Sequence, residues 1–169
     1  ARARKSWRSK SAEAWSEKAP GFAARVRNTP YAQRLLELLN PPPETTVLDV
    51  GCGPGTLALP LAERVAAVTA IDFAAGMVSA LKTEARNRRL DNLRALKAAW
   101  EDDWETLQIG CHDLAIASRS LNLDDLQSAL LKLDAHARHR VVIVDRIAPT
   151  PFDPDAFAAL GRPFSSGPD

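Results

Sequence analysis

Aspartate and glycine residues alternate directly after a short apolar run that predicts a buried strand. Asp49, Gly51, Gly53 and Gly55 occupy every second position, and an Ala- and Leu-rich run that predicts a helix follows them. Glycine permits a sharp turn and leaves no Cβ between the backbone and a ligand. The first turn of a helix also offers N–H groups that lack a partner within the helix. A strand, a glycine turn and a helix in this order predict a ligand-binding unit.

The acidic residues narrow the choice of ligand. A dinucleotide turn has the pattern G-x-G-x-x-G and directs a helix toward a pyrophosphate. Here the pattern is G-x-G-x-G, and Asp49 would repel a pyrophosphate but could accept hydrogen bonds from an ammonium group. Asp72 ends the next apolar run, 21 residues after Gly51, where a carboxylate can accept both hydroxyls of a ribose. A carboxylate at this position predicts a ligand that contains a nucleoside, but it does not decide whether that ligand is a dinucleotide. A simple helix N-cap is the alternative for Asp72.

The pattern D-x-G-x-G-x-G at residues 49–55 resembles motif I of the class I methyltransferases that use S-adenosylmethionine (SAM). The resemblance implies that SAM is the cofactor, that S-adenosylhomocysteine is the product, and that the glycine turn borders the methionine part of SAM. It also implies that Phe73 and Met77, shortly after Asp72, lie against the adenine. Met77 fits an ordinary core position equally well.

The third predicted strand, residues 92–99, ends where this sequence departs from the family. Members of the family commonly have Gly-Asp-Ala-Glu at this point, and the Asp contacts the adenine amino group. Here Ala99 takes the place of that Asp, and Trp100 and Glu101 follow it. The departure leaves the contact with the adenine amino group open. Trp100, which could cover the edge of the adenine ring, and Glu101 are the candidate cofactor-binding residues at this point. A solvated turn is the alternative interpretation of Glu101 and Asp102.

The fourth predicted strand, residues 112–118, resembles motif IV of the family. Ligands of parallel α/β sheets bind at the carboxyl ends of the strands, so His112, which precedes this strand, belongs at the opposite edge. Ser118 lies at the ligand-side end, and the resemblance implies that it is near the transferable methyl group. Arg119 is the candidate for gripping an acidic substrate, with a salt bridge to a neighbouring acid as the alternative.

Residues 1–40 precede the first strand and form a basic arm, with eight Lys or Arg and two Glu in the first 27 residues. We expect one helix over residues 6–18, broken by Pro20 and Gly21, and a second that begins at Pro30. Three roles for this arm stay open: a solvated segment, a lid, or a contact with nucleic acid. No base-reading motif supports the last of these. The resemblance favours a lid, in which Trp15 and Tyr31 border the SAM pocket.

Composition indicates an ordinary globular protein. The 169 residues fit one domain and include 46% hydrophobic and 25% charged residues, with a formal net charge of +1. Cys52 and Cys111 make no disulfide or metal framework, which favours a reducing cytoplasm. No apolar run approaches the roughly 20 residues that span a bilayer, and no metal site is expected.

Strand and helix patterns alternate five times, with further elements at residues 122–137 and 140–145. They predict an α/β fold with a doubly wound, mainly parallel sheet, the Rossmann-like methyltransferase fold. The family's last two strands find no counterpart after residue 160, so we expect a longer protein or a homodimer to cover the sheet edge. The expected organisation is an arm or lid at 1–40, a SAM-binding domain at 41–160 and a flexible end at 161–169.

The predicted activity is methyl transfer from SAM to a small molecule, by alignment of the reactants rather than by a catalytic side chain. Nucleic acid and membrane partners are not expected. A SAM-binding module that has lost catalysis, of the same fold, is the first alternative. A nicotinamide-dependent oxidoreductase is the second.

Overall fold

The structure is a computed structural model, and it describes residues 11–26, 29–121, 123 and 125–145. Five helices and five strands lie within this part of the chain. In chain order they are α1 (Ala12–Val26), α2 (Pro30–Leu39), β1 (Thr46–Val50), α3 (Ala58–Ala62), β2 (Ala67–Asp72), α4 (Ala75–Asn87), β3 (Leu93–Lys97), β4 (His112–Ser118), α5 (Leu126–Ala135) and β5 (Ala137–Val144).

The strands form one sheet in the order β3-β2-β1-β4-β5, and every neighbouring pair is parallel. The chain moves outward from β1 to β3, then returns to the other side of β1 with β4. The strand order therefore reverses between β1 and β4, which is where open α/β sheets bind ligands. This confirms the predicted doubly wound, Rossmann-like fold.

Two apolar clusters cover the two faces of the sheet. Val47 of β1 packs with α2, α3 and α4, whereas the next residue, Leu48, packs on the opposite face with Trp104 and Leu133 of α5. Successive strand residues point to opposite faces, so a strand covered on both sides is apolar throughout. Trp104, only 1% exposed, anchors the second cluster, and the sequence analysis gave it no role.

The first helix differs from its prediction. We expected Pro20 and Gly21 to end it, but α1 continues through both to Val26. Tertiary packing overrides this local signal, because α1 packs against α4 on both sides of Pro20. Ala19 is buried against Met77 and Ala74, with Trp15 and Phe22 at the edge of the same cluster.

The other boundaries shift by a few residues. Helix α2 begins at Pro30 as predicted, with the Thr29 side chain accepting a hydrogen bond from the Ala32 N–H. Helix α5 starts at Leu126 with Asp125 as its N-cap, four residues after the predicted start at residue 122. Strand β3 is shorter than predicted, and β5 begins three residues earlier, at Ala137.

Strand β5 lies at the edge of the sheet, and Ile143 is 45% exposed there. Every strand in the described part of the chain is parallel to its neighbour, and the segment after Asp145, including the predicted flexible end, lies outside the described residues. No helix within the described ranges is long and apolar enough to cross a membrane. The homodimer, the domain boundaries and the cytoplasmic location stay predictions.

The contact between α1 and α4 requires a glycine on α4. A Cβ at Gly76 would lie 2.7 Å from both the Cα and the carbonyl oxygen of Ser16, whereas a Cβ at Gly21 of α1 would meet nothing within 4 Å. Gly76→Ala should therefore destabilise the chain by roughly 1–3 kcal/mol, since the backbone of Ser16 must move. Gly21→Ala should stabilise it by about 0.5–1 kcal/mol through helix propensity.

Urea unfolding of the two variants measures these free energies. Limited proteolysis within α1 should become faster in Gly76→Ala and not in Gly21→Ala. Equal effects of the two alanines on stability would contradict the role assigned to this helix contact.

Candidate ligand site at the ends of the strands

The glycine turn follows β1 and has the left-handed backbone that glycine favours, with φ of +74° at Gly51, +56° at Gly53 and +97° at Gly55. A Cβ at Gly55 would lie 2.5 Å from the Leu81 side chain, so α4 packs directly on the turn. The N–H groups of Gly51 and Cys52 both donate to the Ile71 carbonyl oxygen, at 2.8 and 3.0 Å. The turn is therefore fixed by hydrogen bonds to the backbone of β2. Its glycines leave backbone, rather than side chains, to face a ligand.

Ser120 holds the other side of the turn. A Cβ at Gly51 would lie 2.2 Å from the Ser120 Cβ. The Ser120 hydroxyl donates to the Val50 carbonyl oxygen at 2.7 Å, which joins the segment after β4 to the end of β1. Ser120 lies two residues after the end of β4, and nothing in the sequence predicts this contact.

Asp49 is buried beneath the turn, with 2% of its surface exposed. Its Oδ2 atom has no hydrogen-bond partner among the described residues. Loss of hydration and, second, the charge of Asp72 raise the pKa of Asp49 to about 7, although a hydrogen bond from the Ala58 N–H opposes both effects. A buried carboxyl group with one unpaired oxygen favours a cationic group nearby.

Asp72 ends β2, and its carboxylate faces the glycine turn. Its Oδ2 accepts the Gly53 N–H at 2.8 Å, and its Oδ1 accepts the Ala74 N–H at 2.9 Å. Burial raises the pKa of Asp72, although these two hydrogen bonds oppose the effect. Each carboxylate oxygen can accept about two hydrogen bonds, so both retain capacity for a hydroxyl. The alternative that Asp72 caps the next helix is wrong, because the N-cap of α4 is Ala74.

The residues predicted to contact adenine have different surroundings. Met77 is 3% exposed in the cluster beneath α1, which matches the core alternative, and Phe73 is half-buried. The Trp100 indole N–H donates to the Ser120 carbonyl oxygen at 3.1 Å. In the sheet, β2 and β1 lie between β3 and β4, so this bond crosses above the carboxyl ends of β2 and β1. Glu101 is exposed, as the solvated-turn alternative requires.

Ala99 stands where the family has an Asp, and the Asp102 side chain forms a hydrogen bond with its backbone. The Asp102 Oδ2 accepts the Ala99 N–H at 2.8 Å, and the Trp104 indole N–H donates to the Ala99 carbonyl oxygen at 2.8 Å. Lys132 of α5 donates to the Trp100 carbonyl oxygen at 2.9 Å. These bonds give the segment after β3 a fixed conformation, which the sequence did not reveal.

A third group of residues lies at the end of β4. The hydroxyls of Tyr31 and Ser118 are 2.5 Å apart and hydrogen-bonded, which joins α2 to the strand end. The Arg119 guanidinium lies over the Tyr31 ring, 4.5 Å from its centroid. No carboxylate of the described chain pairs with Arg119, so the structure gives no support to the predicted salt bridge.

Helix α1 covers part of the turn. The nearest atom to a Cβ built on Gly53 is Cε1 of Phe22, at 3.9 Å. Trp15 contacts the same ring edge to face, with centroids 6.1 Å apart. Trp15 therefore supports Phe22 and the packing of α1, and its predicted contact with a ligand remains a prediction.

A separate cavity of about 680 Å³ lies among α1, α2, α3 and α4. Gly55 and Thr56 border it, but neither Asp49 nor Asp72 does. It therefore lies outside the group of residues at the strand ends. His112 is also distant from this group, because it begins β4 and bonds to Thr69 at 2.9 Å, as its predicted position at the opposite edge requires.

A family model described as a methyltransferase domain matches residues 47–146 of the sequence, which include the glycine turn and β1 to β5. The chain belongs to this methyltransferase family. Among curated proteins, an uncharacterized protein of Haemophilus influenzae is 35% identical over 88% of this chain and 55% of its own length. Nocamycin O-methyltransferase of Saccharothrix syringae is 39% identical over 56% of this chain and 34% of its own length.

A structural comparison agrees with the family. The magnesium protoporphyrin IX methyltransferase of Synechocystis, solved with bound S-adenosylhomocysteine, has a TM-score of 0.59 and 21% identity. The match covers 84% of this chain and 63% of that one, and it shows a shared fold. The chain spans about half the length, or less, of the curated relatives above.

In this methyltransferase domain, the structure brings together Asp49, Asp72 and the glycines between them. It places Tyr31, Ser118 and Arg119 in contact at the end of β4. Trp100 bounds the same edge, while Met77 is withdrawn into the core. The individual contacts of these residues with a cofactor stay predictions.

The burial of Asp49 predicts an unusual dependence of stability on pH. Its pKa is about 7 in the folded chain, whereas an ordinary Asp carboxyl has a pKa of 3.8, so between these values the native state binds more protons than the unfolded one. The contribution of Asp49 therefore becomes less favourable as pH rises from 4 to 7, by at most about 4 kcal/mol, and is constant above. Asp49→Asn should gain stability relative to the native sequence at pH 8 and not at pH 4.

Urea unfolding of both proteins at pH 4 and pH 8 tests this expectation. Asp113→Asn is the control of opposite sign, because the Thr46 N–H and hydroxyl lower the pKa of Asp113. The advantage of Asp113 is present above the ordinary carboxyl pKa of 3.8 and is lost only as pH falls below that value, so Asp113→Asn should cost nearly the same stability at pH 4 and at pH 8. A stability difference between Asp49→Asn and the native sequence that does not change with pH would contradict the buried charge.

Proposed function

We propose that this chain binds SAM at the carboxyl ends of β1 and β2 and transfers its methyl group to a small molecule. The observation that carries the proposal is the buried carboxyl group of Asp49 beneath the glycine turn, whose Oδ2 atom has no hydrogen-bond partner among the described residues. An anionic pyrophosphate would meet the charges of Asp49 and Asp72, whereas the ammonium and sulfonium groups of SAM would neutralise them. The charge at the site therefore favours SAM over a dinucleotide.

The residues present fit the parts of SAM. The bare surface of the glycine turn and Asp49 would hold the amino-acid part, and the remaining acceptor capacity of Asp72 would receive the ribose hydroxyls. Trp100, Glu101 and Phe73 would border the adenine, with Met77 behind them in the core. Ser118 and Tyr31 would lie near the methyl group. The Synechocystis neighbour with bound S-adenosylhomocysteine supports this assignment at the level of the fold.

The protein would contribute to such a reaction by positioning the two reactants. SAM, when bound, supplies a methyl group that its sulfonium already activates. The rigid turn holds one reactant, and the bond from Trp100 to Ser120 and the pair Tyr31–Ser118 bound the space for the other. Alignment of two reactants can supply about 7–11 kcal/mol of barrier reduction. No side chain needs to form a covalent bond.

The similarity to nocamycin O-methyltransferase supports a small-molecule acceptor. Transfer of label from methyl-labelled SAM to the small-molecule fraction of a cell extract tests the activity. A chain that binds SAM but transfers no label would be the non-catalytic module instead, and a labelled macromolecule would contradict the small acceptor.

Asp72 provides the sharpest test of cofactor binding. Asp72→Ala should weaken S-adenosylhomocysteine at least tenfold in isothermal titration calorimetry, because the ribose hydroxyls and the Gly53 N–H both lose their acceptor. Asp91→Asn, an exposed position after α4, should leave the affinity unchanged.

The same titration with NAD separates the two nucleotide classes. SAM and S-adenosylhomocysteine should raise the melting temperature of the native chain, since ligands that bind the folded state stabilise it, and NAD should not. Stabilisation by NAD alone would contradict the proposed function.

A further inference from the structure

Arg119 places a positive charge at the ligand-side edge of the sheet. It directly follows Ser118, the last residue of β4, and it is exposed. Within the described ranges no acidic side chain forms an ion pair with it. Surface arginines are commonly mobile, but two contacts fix this one.

The first contact is through the backbone, since the Arg119 N–H donates to the Val144 carbonyl oxygen at 2.7 Å. The residue has a φ of +56°, in the left-handed region that costs a non-glycine residue about 1–2 kcal/mol. The second contact is through the guanidinium, which lies 4.5 Å from the centroid of the Tyr31 ring. The charge is thus held in one place at the expense of backbone strain, as occurs at functional sites.

Two hydroxyl groups lie beside this charge. Because Tyr31 and Ser118 share one hydrogen bond, one hydroxyl donates and the other accepts. The accepting hydroxyl keeps its own hydrogen, which is free to donate to a third group. A guanidinium and an available O–H donor together match an oxygen anion, and a carboxylate in particular, which accepts hydrogen bonds at both oxygens.

Among the described residues, no carboxylate, histidine or lysine side chain forms a hydrogen bond or ion pair with Tyr31, Ser118 or Arg119. Asp49 and Asp72 belong to the turn, Glu101 and Asp102 follow β3, and the histidines have other partners: His112 with Thr69, His136 with the Lys132 carbonyl oxygen and His139 near Asp113. An acceptor that is already deprotonated fits these surroundings best. Carboxylic acids meet this condition at neutral pH, whereas alcohols and most phenols do not.

We propose that Arg119, with the Tyr31–Ser118 hydroxyl pair, binds the carboxylate of an organic acid that is the methyl acceptor. The inference rests on the proposed function. One carboxylate oxygen forms a bond to the methyl carbon, and the bond from carbon to sulfur breaks with its electron pair left on sulfur. The products are a methyl ester and a thioether, both uncharged at the reacting atoms, and no proton moves. The ester has lost the charge that Arg119 bound, which favours its release.

Benzoate and benzamide are suitable probes, because they have nearly the same shape and differ in charge. We expect benzoate to bind the full chain saturably in an NMR titration with S-adenosylhomocysteine present, at least tenfold more tightly than benzamide. Arg119→Gln should weaken benzoate at least tenfold and leave benzamide unchanged, and Arg119→Lys should recover part of the loss. Ser118→Ala should weaken benzoate severalfold.

Arg89→Gln is the matched control. Arg89 is also an exposed arginine with a positive φ, +55°, but it follows α4 away from this edge. Its replacement should leave benzoate binding unchanged. Equal binding of benzoate and benzamide, no saturable benzoate binding, or full benzoate binding in Arg119→Gln would each overturn the proposal.

Two readouts separate this inference from the proposed function. The affinity for S-adenosylhomocysteine should be the same in Arg119→Gln and the native chain. If neither chain bound S-adenosylhomocysteine, the proposed function alone would fail. The labelled product of the transfer experiment should release its label as methanol in mild alkali, as a methyl ester does. A label that resists alkali would overturn the carboxylate as acceptor.

Discussion

The rest of the site depends on the carboxylate of Asp49, which is buried where the strand order reverses. Asp49 ends up out of water because β1 is covered on both faces and the glycine turn closes over its end. Such a charge is unfavourable unless something compensates it, and within the described chain only partial compensation is present. Much of the surrounding geometry can be understood as holding a backbone corner rigid above this charge.

That rigidity comes from three directions. Backbone hydrogen bonds to Ile71 fix the turn from β2, Ser120 fixes it from the segment after β4, and the Leu81 side chain packs on it from α4. None of these contacts leaves room for a side chain at Gly51 or Gly55. The glycines are thus required by the protein's own packing as well as by the approach of a ligand.

Regular patterns made the strands, the parallel sheet and the positions of Asp49 and Asp72 predictable from the sequence. Continuous apolar runs and the glycine spacing are local signals, and they determine which residues reach the edge of the sheet. The continuation of α1 through Pro20 was not predictable, because it depends on a long-range contact between Ser16 and Gly76. The same reason hid the bond from Trp100 to Ser120 and the position of Arg119 on the Tyr31 ring, which join segments distant in sequence.

The contact of Phe22 with the glycine turn has a consequence for access to the turn. The ring lies within van der Waals distance of the position where a side chain on Gly53 would project, and Trp15 holds it there. A molecule that approaches Gly53 from this side must first displace the ring, together with the part of α1 that carries it. Access to Gly53 from this side therefore depends on how tightly α1 is packed against α4.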